Sequence, residues 1–293
     1  MSVNPPKLIV GFVFLVLSAA LYATMPIIGK IMYHTGLSAV SVLLLRYFFS
    51  LTILVAYLVF KKEQILIFSP FAIIQGILFV LGSLLYFNAV KFLPAGLTTS
   101  IFYMYPAIVS ALAIVIYHEK LPLRQITALV LALGGIVIIS GFLGEATNRL
   151  SLPGIILDIG ASLCYSGYTL LGQKTTDRWS ALPLTTTLSL CGLVMLSLVF
   201  PHDLTALAGI TLKQAFLGMT MAVLNTILSV FFFLKGLAIV GASRAALVST
   251  AEPAFTLLFA FLVLGEVISP LQGLGILLVL VSTTLALKPP VNK

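Results

Sequence analysis

The chain has 293 residues, of which 60% are hydrophobic and 8% charged, with a formal net charge of +8. A soluble domain carries about 25% charged residues, whereas here the charges lie mostly in short gaps between long apolar runs, which excludes a soluble globule. The short alternating segments of a β-barrel are missing, and no basic cluster exceeds Lys61-Lys62, so the positive balance reads as membrane topology and not as a nucleic-acid surface.

Separated at charges, Pro and Gly, the apolar segments run 8–28, 39–60, 70–90, 95–116, 124–142, 152–173, 182–200, 214–235, 242–264 and 270–287. Each is near the length a spanning helix needs. The expected fold is therefore an all-α polytopic membrane protein with ten transmembrane helices. The first run follows a short basic start but has no convincing small-residue cleavage site, so it reads as a retained helix and not a signal peptide. Short connections imply that sequence neighbours pack as antiparallel neighbours.

Basic residues orient the chain. With the N-terminus inside, the cytoplasmic side receives Lys7, Lys61, Lys62, Lys120, Arg124, Lys174, Arg178, Lys235, Arg244, Lys288 and Lys293. The other side receives Lys30, Lys91, Arg149 and Lys213, and the count of 11 against 4 predicts that both termini are cytoplasmic.

A duplication emerges from this layout. Tyr105-Pro106-Ala107 aligns with Glu252-Pro253-Ala254 at an offset of 147, and the same offset pairs Glu119 with Glu266 and Gln125 with Gln272. Ala19-Ala20-Leu21-Tyr22 similarly resembles Ala161-Ser162-Leu163-Cys164. The chain then divides into repeats 1–143 and 144–293, with five helices in each. An odd number of crossings inverts the second repeat relative to the first, as carriers use for alternating access.

Polar residues within apolar helices are the informative ones. In chain order, the candidate cavity residues are Tyr22, Arg46, Tyr86, Asn88, Thr99, Tyr103, Tyr165, Tyr168, Asn225, Ser229 and Ser249. Thr99 and Tyr103 are four apart and share a helix face, as do Asn225 and Ser229, whereas Tyr105 points elsewhere. Such a lining suits an amphipathic or aromatic small molecule better than a polyanion. Each of these residues also serves equally well as helix–helix glue or an interfacial anchor. Arg46 either snorkels to the outer interface or faces the cavity and attracts a carboxylate or phosphate. Asp158 is similarly shallow, and reaches the outer interface or forms a gate pair with Arg46.

Glu252 lies roughly 15 Å into its helix. An acid at that depth calls for a cavity, a partner or a proton. Two readings stay open: a coupling site for a proton or cationic group, and a structural acid where Pro253 disrupts the helix. Pro253 and Pro106 are the helix-kink candidates, each lacking an N–H and clashing with the carbonyl four residues back, at Ser249 and Phe102.

Other chemistry is not supported. Cys164 and Cys191 sit in apolar runs as small hydrophobes, and His34, His118 and His202 fall in separate loops that draw no metal site. No phosphate-binding loop, HExxH or dinucleotide glycine motif occurs, so neither an ATP-driven pump nor a metal or other cofactor is expected. A lipid-modifying enzyme would cluster its acids on one face to hold magnesium, and the eight acids here are scattered. A passive channel remains the second reading.

The stretches AEPAFTLLFAFLVLGEVISPLQGLGILLVLVS (251–282) and YPAIVSALAIVIYHEKLPLRQITALVLALGGIVII (105–139) resemble the EamA family of the drug/metabolite transporter superfamily. The first half departs by having Tyr105 before its proline and His118 before the turn acid. The resemblance implies a bacterial inner-membrane, multi-pass permease that exports metabolites or amino acids. Four helices of each half would wall the cavity, and the fifth and tenth would be peripheral. Gly134-Gly135, Gly273, Gly275 and Ser282 on those two suggest close packing or a homodimer contact. The expected partners are a small-molecule substrate and membrane lipids, with proton coupling left open.

Overall fold

The computed structural model describes residues 5–89, 91–93, 95–118, 121–140, 151–265 and 267–287. Glu119, Lys120, Arg149, Glu266, Lys288, Lys293 and the expected repeat boundary at 143–144 lie outside them.

Among the described residues, eight helices are long and apolar enough to cross a membrane, and two further apolar helices are shorter. In chain order they are α1 (Lys7–Tyr33), α2 (Ala39–Lys61), α3 (Pro70–Ala89), α4 (Leu97–Tyr117), α5 (Leu123–Ile139), α6 (Leu152–Thr176), α7 (Ala181–Val199), α8 (Leu212–Val240), α9 (Ala242–Val263) and α10 (Pro270–Ala286). Helices are what such runs must form, because hydrocarbon offers no partner for an unpaired backbone N–H or C=O. The chain is an all-α polytopic membrane protein.

Two boundaries move for physical reasons. α1 runs on to Tyr33 because its interruption at Ala23–Thr24 is a break within one span, restarted by Met25-Pro26. α8 runs from Leu212 to Val240, opened by a capping box in which Thr211 and Gln214 satisfy each other's backbone N–H. Its middle, Ala222–Leu228, is π-helical. Gly241, at φ 86°, joins α8 to α9 in a single residue, a conformation that favours glycine.

The expectation that sequence neighbours pack together is corrected. The most extensive pairings are α5 with α10, α3 with α6 and α1 with α8, followed by α4 with α6, α3 with α7, α2 with α8 and α2 with α7. A short loop limits where the next helix starts but not which face it presents. Partners are chosen where a missing side chain lets two helices approach. A methyl on Gly236 of α8 would stand 2.8 Å from the Gly11 carbonyl oxygen of α1. One on Gly192 of α7 would strike the Tyr47 ring of α2 at 2.7 Å. Cys164 and Cys191 are free, half-buried thiols packed on Gly82 and Gly76 of α3.

α5 and α10 form a close pair of their own. A methyl on Gly135 would meet the Gly275 carbonyl oxygen at 2.8 Å, and Ser282 Oγ donates to the Ala128 carbonyl at 2.6 Å. Three of the small residues considered for a dimer contact are thus used within the chain.

Candidate functional site

Three helices are broken in the same way. α1 breaks before Met25-Pro26, α4 before Tyr105-Pro106 and α9 before Glu252-Pro253, with the proline in the first turn of the restarted helix each time. There its missing N–H costs nothing, because a first-turn N–H has no helical partner. Polar side chains hold the breaks. The Leu21 carbonyl accepts from Thr24 Oγ1 at 2.7 Å and from Asn225 Nδ2 at 2.6 Å, and the Leu247 carbonyl accepts from Thr250 Oγ1 at 2.6 Å.

The breaks converge on a cavity of about 120 Å³ lined by Tyr22, Met25, Pro26, Arg46, Phe79, Ser83, Tyr86, Phe87, Phe102, Tyr103, Tyr105, Tyr165 and Glu252. Its walls are largely aromatic. Tyr165 meets Tyr105 edge-on at 4.8 Å between ring centres, and Phe102 bridges Tyr86 at 5.0 Å and Tyr165 at 5.4 Å.

Two charged side chains share this cavity. Arg46 is 1% exposed, so it does not snorkel to the interface. Its Nε donates to Thr226 Oγ1 at 2.6 Å, and its Nη1 reaches Met25 Sδ at 3.1 Å. Its Nη2 is buried without an acceptor, and the Tyr22 hydroxyl is likewise buried and unpartnered. The guanidinium also lies 5.2 Å from the Tyr47 ring centre and 5.7 Å from that of Phe79. Glu252 opens the restarted half of α9, where the partial positive charge of a helix N-terminus favours an acid. Tyr103 is the side chain that faces its carboxyl.

Of the sequence candidates, the structure brings Tyr22, Arg46, Tyr86, Tyr103, Tyr165 and Glu252 together on the cavity wall. Six others lie off it. Asn88 donates to the Leu84 carbonyl at 2.8 Å and accepts from Lys91 Nζ at 3.0 Å. Thr99 sits beside the Tyr86 side chain, and Ser249 Oγ donates to the Ala245 carbonyl at 3.0 Å. Tyr168 is packed between Phe79 and Phe233. Asn225 is committed to the α1 break, and the Ser229 carbonyl accepts from Ser18 Oγ at 2.8 Å. Asp158 is buried on α6 away from the cavity, reaching neither the interface nor Arg46.

Tyr105, expected to point elsewhere, lines the cavity. The break at Tyr103–Met104 resets the helical phase, so four-residue spacing no longer predicts a shared face across it. Pro106 and Pro253 sit in the first turns of the restarted helices, off the cavity wall, while Pro26, not among the kink candidates, lines it directly.

The model of the EamA-like transporter family matches residues 9–141 and 152–288. The chain belongs to that family. Among curated relatives, this EamA-like chain is 26% identical over 215 residues to an uncharacterized transporter, sll1319, of Synechocystis sp. (strain ATCC 27184 / PCC 6803 / Kazusa), covering 72% of this chain and 64% of the relative. It is 27% identical over 154 residues to the uncharacterized transporter YwfM of Bacillus subtilis (strain 168), covering 52% and 51%. A third, YyaM of the same Bacillus subtilis strain, is 26% identical over 233 residues, covering 77% and 75%. The chain spans less than two thirds of the length of the first two relatives. One crystal structure superposes with a TM-score of 0.78 over 97% of this chain and 96% of that one, at 12% identity, a likeness of fold alone. The family is one of membrane transporters.

Proposed function

We propose that this EamA-like transporter exports small amphipathic metabolites, amino acids or related zwitterions, by alternating access. The observation that carries the reading is the pairing of a free Arg46 Nη2 with the Glu252 carboxyl across one aromatic cavity. A guanidinium takes a carboxylate. An acid and aromatic faces take an ammonium group. In this reading Glu252 also exchanges a proton with the two sides in turn.

The architecture behind it is ten spanning helices in two inverted repeats. Three observations support this. Thr250 and Ala251, where α9 breaks, lie 147 positions after Tyr103 and Met104, where α4 breaks, the same offset that aligns the two motifs. Replacing each helix by the one five places away maps the packing onto itself: α1–α8 becomes α6–α3, α3–α7 becomes α8–α2 and α4–α6 becomes α9–α1, while α2–α7 and α5–α10 are unchanged. The family model also matches the chain twice.

Purified protein in liposomes tests the function. Amino acid counterflow that saturates with substrate is expected. Flux that neither saturates nor shows counterflow would instead make the protein a channel, and turnover of substrate without flux would sink the carrier reading.

Topology has its own test. In a background lacking Cys164 and Cys191, single cysteines at Lys62 and Arg149 are expected to react with an impermeant thiol reagent from opposite sides, with Lys62 cytoplasmic. Labelling of both from one side rejects the arrangement.

A further inference from the structure

Among the described residues outside the cavity, one carboxylic acid is sealed in the protein without a hydrogen-bond partner. Asp158 on α6 is 0% exposed, and neither of its carboxylate oxygens has a hydrogen-bond partner. Ser162, four residues on and on the same helix face, adds a third buried oxygen without a partner. The seam around them is tightly shut. A methyl on Gly154 would strike Leu93 at 2.7 Å, one on Gly160 would meet Leu85 at 3.2 Å, and one on Gly82 would stand 3.4 Å from the Ala161 carbonyl oxygen.

The charged neighbours are few. From α3, Tyr86 is the titratable side chain that faces Asp158. The first half of α4, residues 97–102, contributes none. On its second half, Tyr105 and Tyr117 lie beside Ser166 and Leu170, further along α6. Lys235 of α8 and Arg244 of α9 belong to the far end of α6, where Gly172 packs on Leu237 and Gln173 accepts from the Ala242 N–H. A bare carboxylate in that setting would be desolvated with nothing to balance it. Hard cations take six or more oxygen ligands, and only three are gathered here.

We infer that Asp158, assisted by Ser162, is a second proton-binding site of this protein, distinct from Glu252, and that it holds its proton while the α3–α6 seam is closed. The chemistry is a simple exchange: the carboxylate takes one proton when the seam shuts and returns it when the seam opens to water. Tyr86 lines the cavity and feels the charge of Asp158, so a change of charge there reaches the cavity wall, which on the proposed function is where substrate binds.

Infrared spectroscopy of the reconstituted protein at neutral pH tests this without relying on transport. A protonated-carboxyl stretching band is expected that D158N removes and E252Q leaves. S162A keeps the acid and is expected to shift the band without abolishing it, which serves if the amide variant does not insert. A wild-type protein without such a band, or a band that only E252Q removes, overturns the proposal. A band that disappears when sodium is added at constant pH overturns it in favour of a sodium site. Proton coupling that survives unchanged in E252Q, with the Asp158 band intact, would count against the coupling role of Glu252 alone.

Discussion

E252Q is expected to exchange substrate across the membrane yet fail to accumulate it against a gradient. The amide keeps the size of the acid and can still meet the Tyr103 hydroxyl, but it cannot gain or lose a charge. Glu252 stands at the break of α9, so in the proposed alternating-access cycle a bend there changes which side its carboxyl meets. Paired proton and substrate fluxes, measured on equal amounts of folded protein, are expected to be coupled in the wild type. In E252Q the proton flux should be lost and the accumulation ratio should fall to that of simple exchange. Coupling that survives unchanged in E252Q would reduce Glu252 to a structural acid. In that case E252L, which leaves the polar surroundings unanswered, would lose folded protein while E252Q stayed normal.

R46A is expected to raise the KM for a carboxylate-bearing substrate by roughly 10- to 100-fold, as follows from losing a charge-assisted hydrogen bond of about 1.5–3 kcal/mol. Arg46 spreads its donors three ways: Nε to Thr226, Nη1 to Met25, and Nη2 left for the ligand. A lysine supplies charge from a single nitrogen and cannot reproduce that fork, so R46K should fall between wild type and R46A. Initial rates normalised to inserted protein decide the matter. An unchanged KM in both variants would remove Arg46 from the substrate site.

The spanning helices were legible because lipid leaves a long apolar run no alternative to a helix. The breaks at Pro106 and Pro253 were equally plain, since a missing N–H acts locally. Helix partnership was not legible. It depends on Gly236 meeting Gly11, or Gly192 meeting Tyr47, and such pairs carry no mark in the chain. The cavity was half legible for a related reason. Glu252, Arg46 and the tyrosines declare themselves by polarity, but Phe79, Phe87 and Phe102 on the same wall look like the phenylalanines that face lipid. Tyr105 was misjudged because a regular 3.6-residue turn was carried across a break.

Broken helices also act as levers. The second half of α4, Tyr105–Tyr117, has 13 residues, which makes an arm roughly 20 Å long. A further bend of about 15° at its fulcrum, smaller than an ordinary proline kink, would sweep the tip through roughly 5 Å. That displacement rivals the width of a small solute's passage, while the fulcrum itself hardly stirs. Large strokes at the membrane faces can therefore accompany slight adjustments around a bound molecule, and every hydrogen bond within each rigid arm is kept.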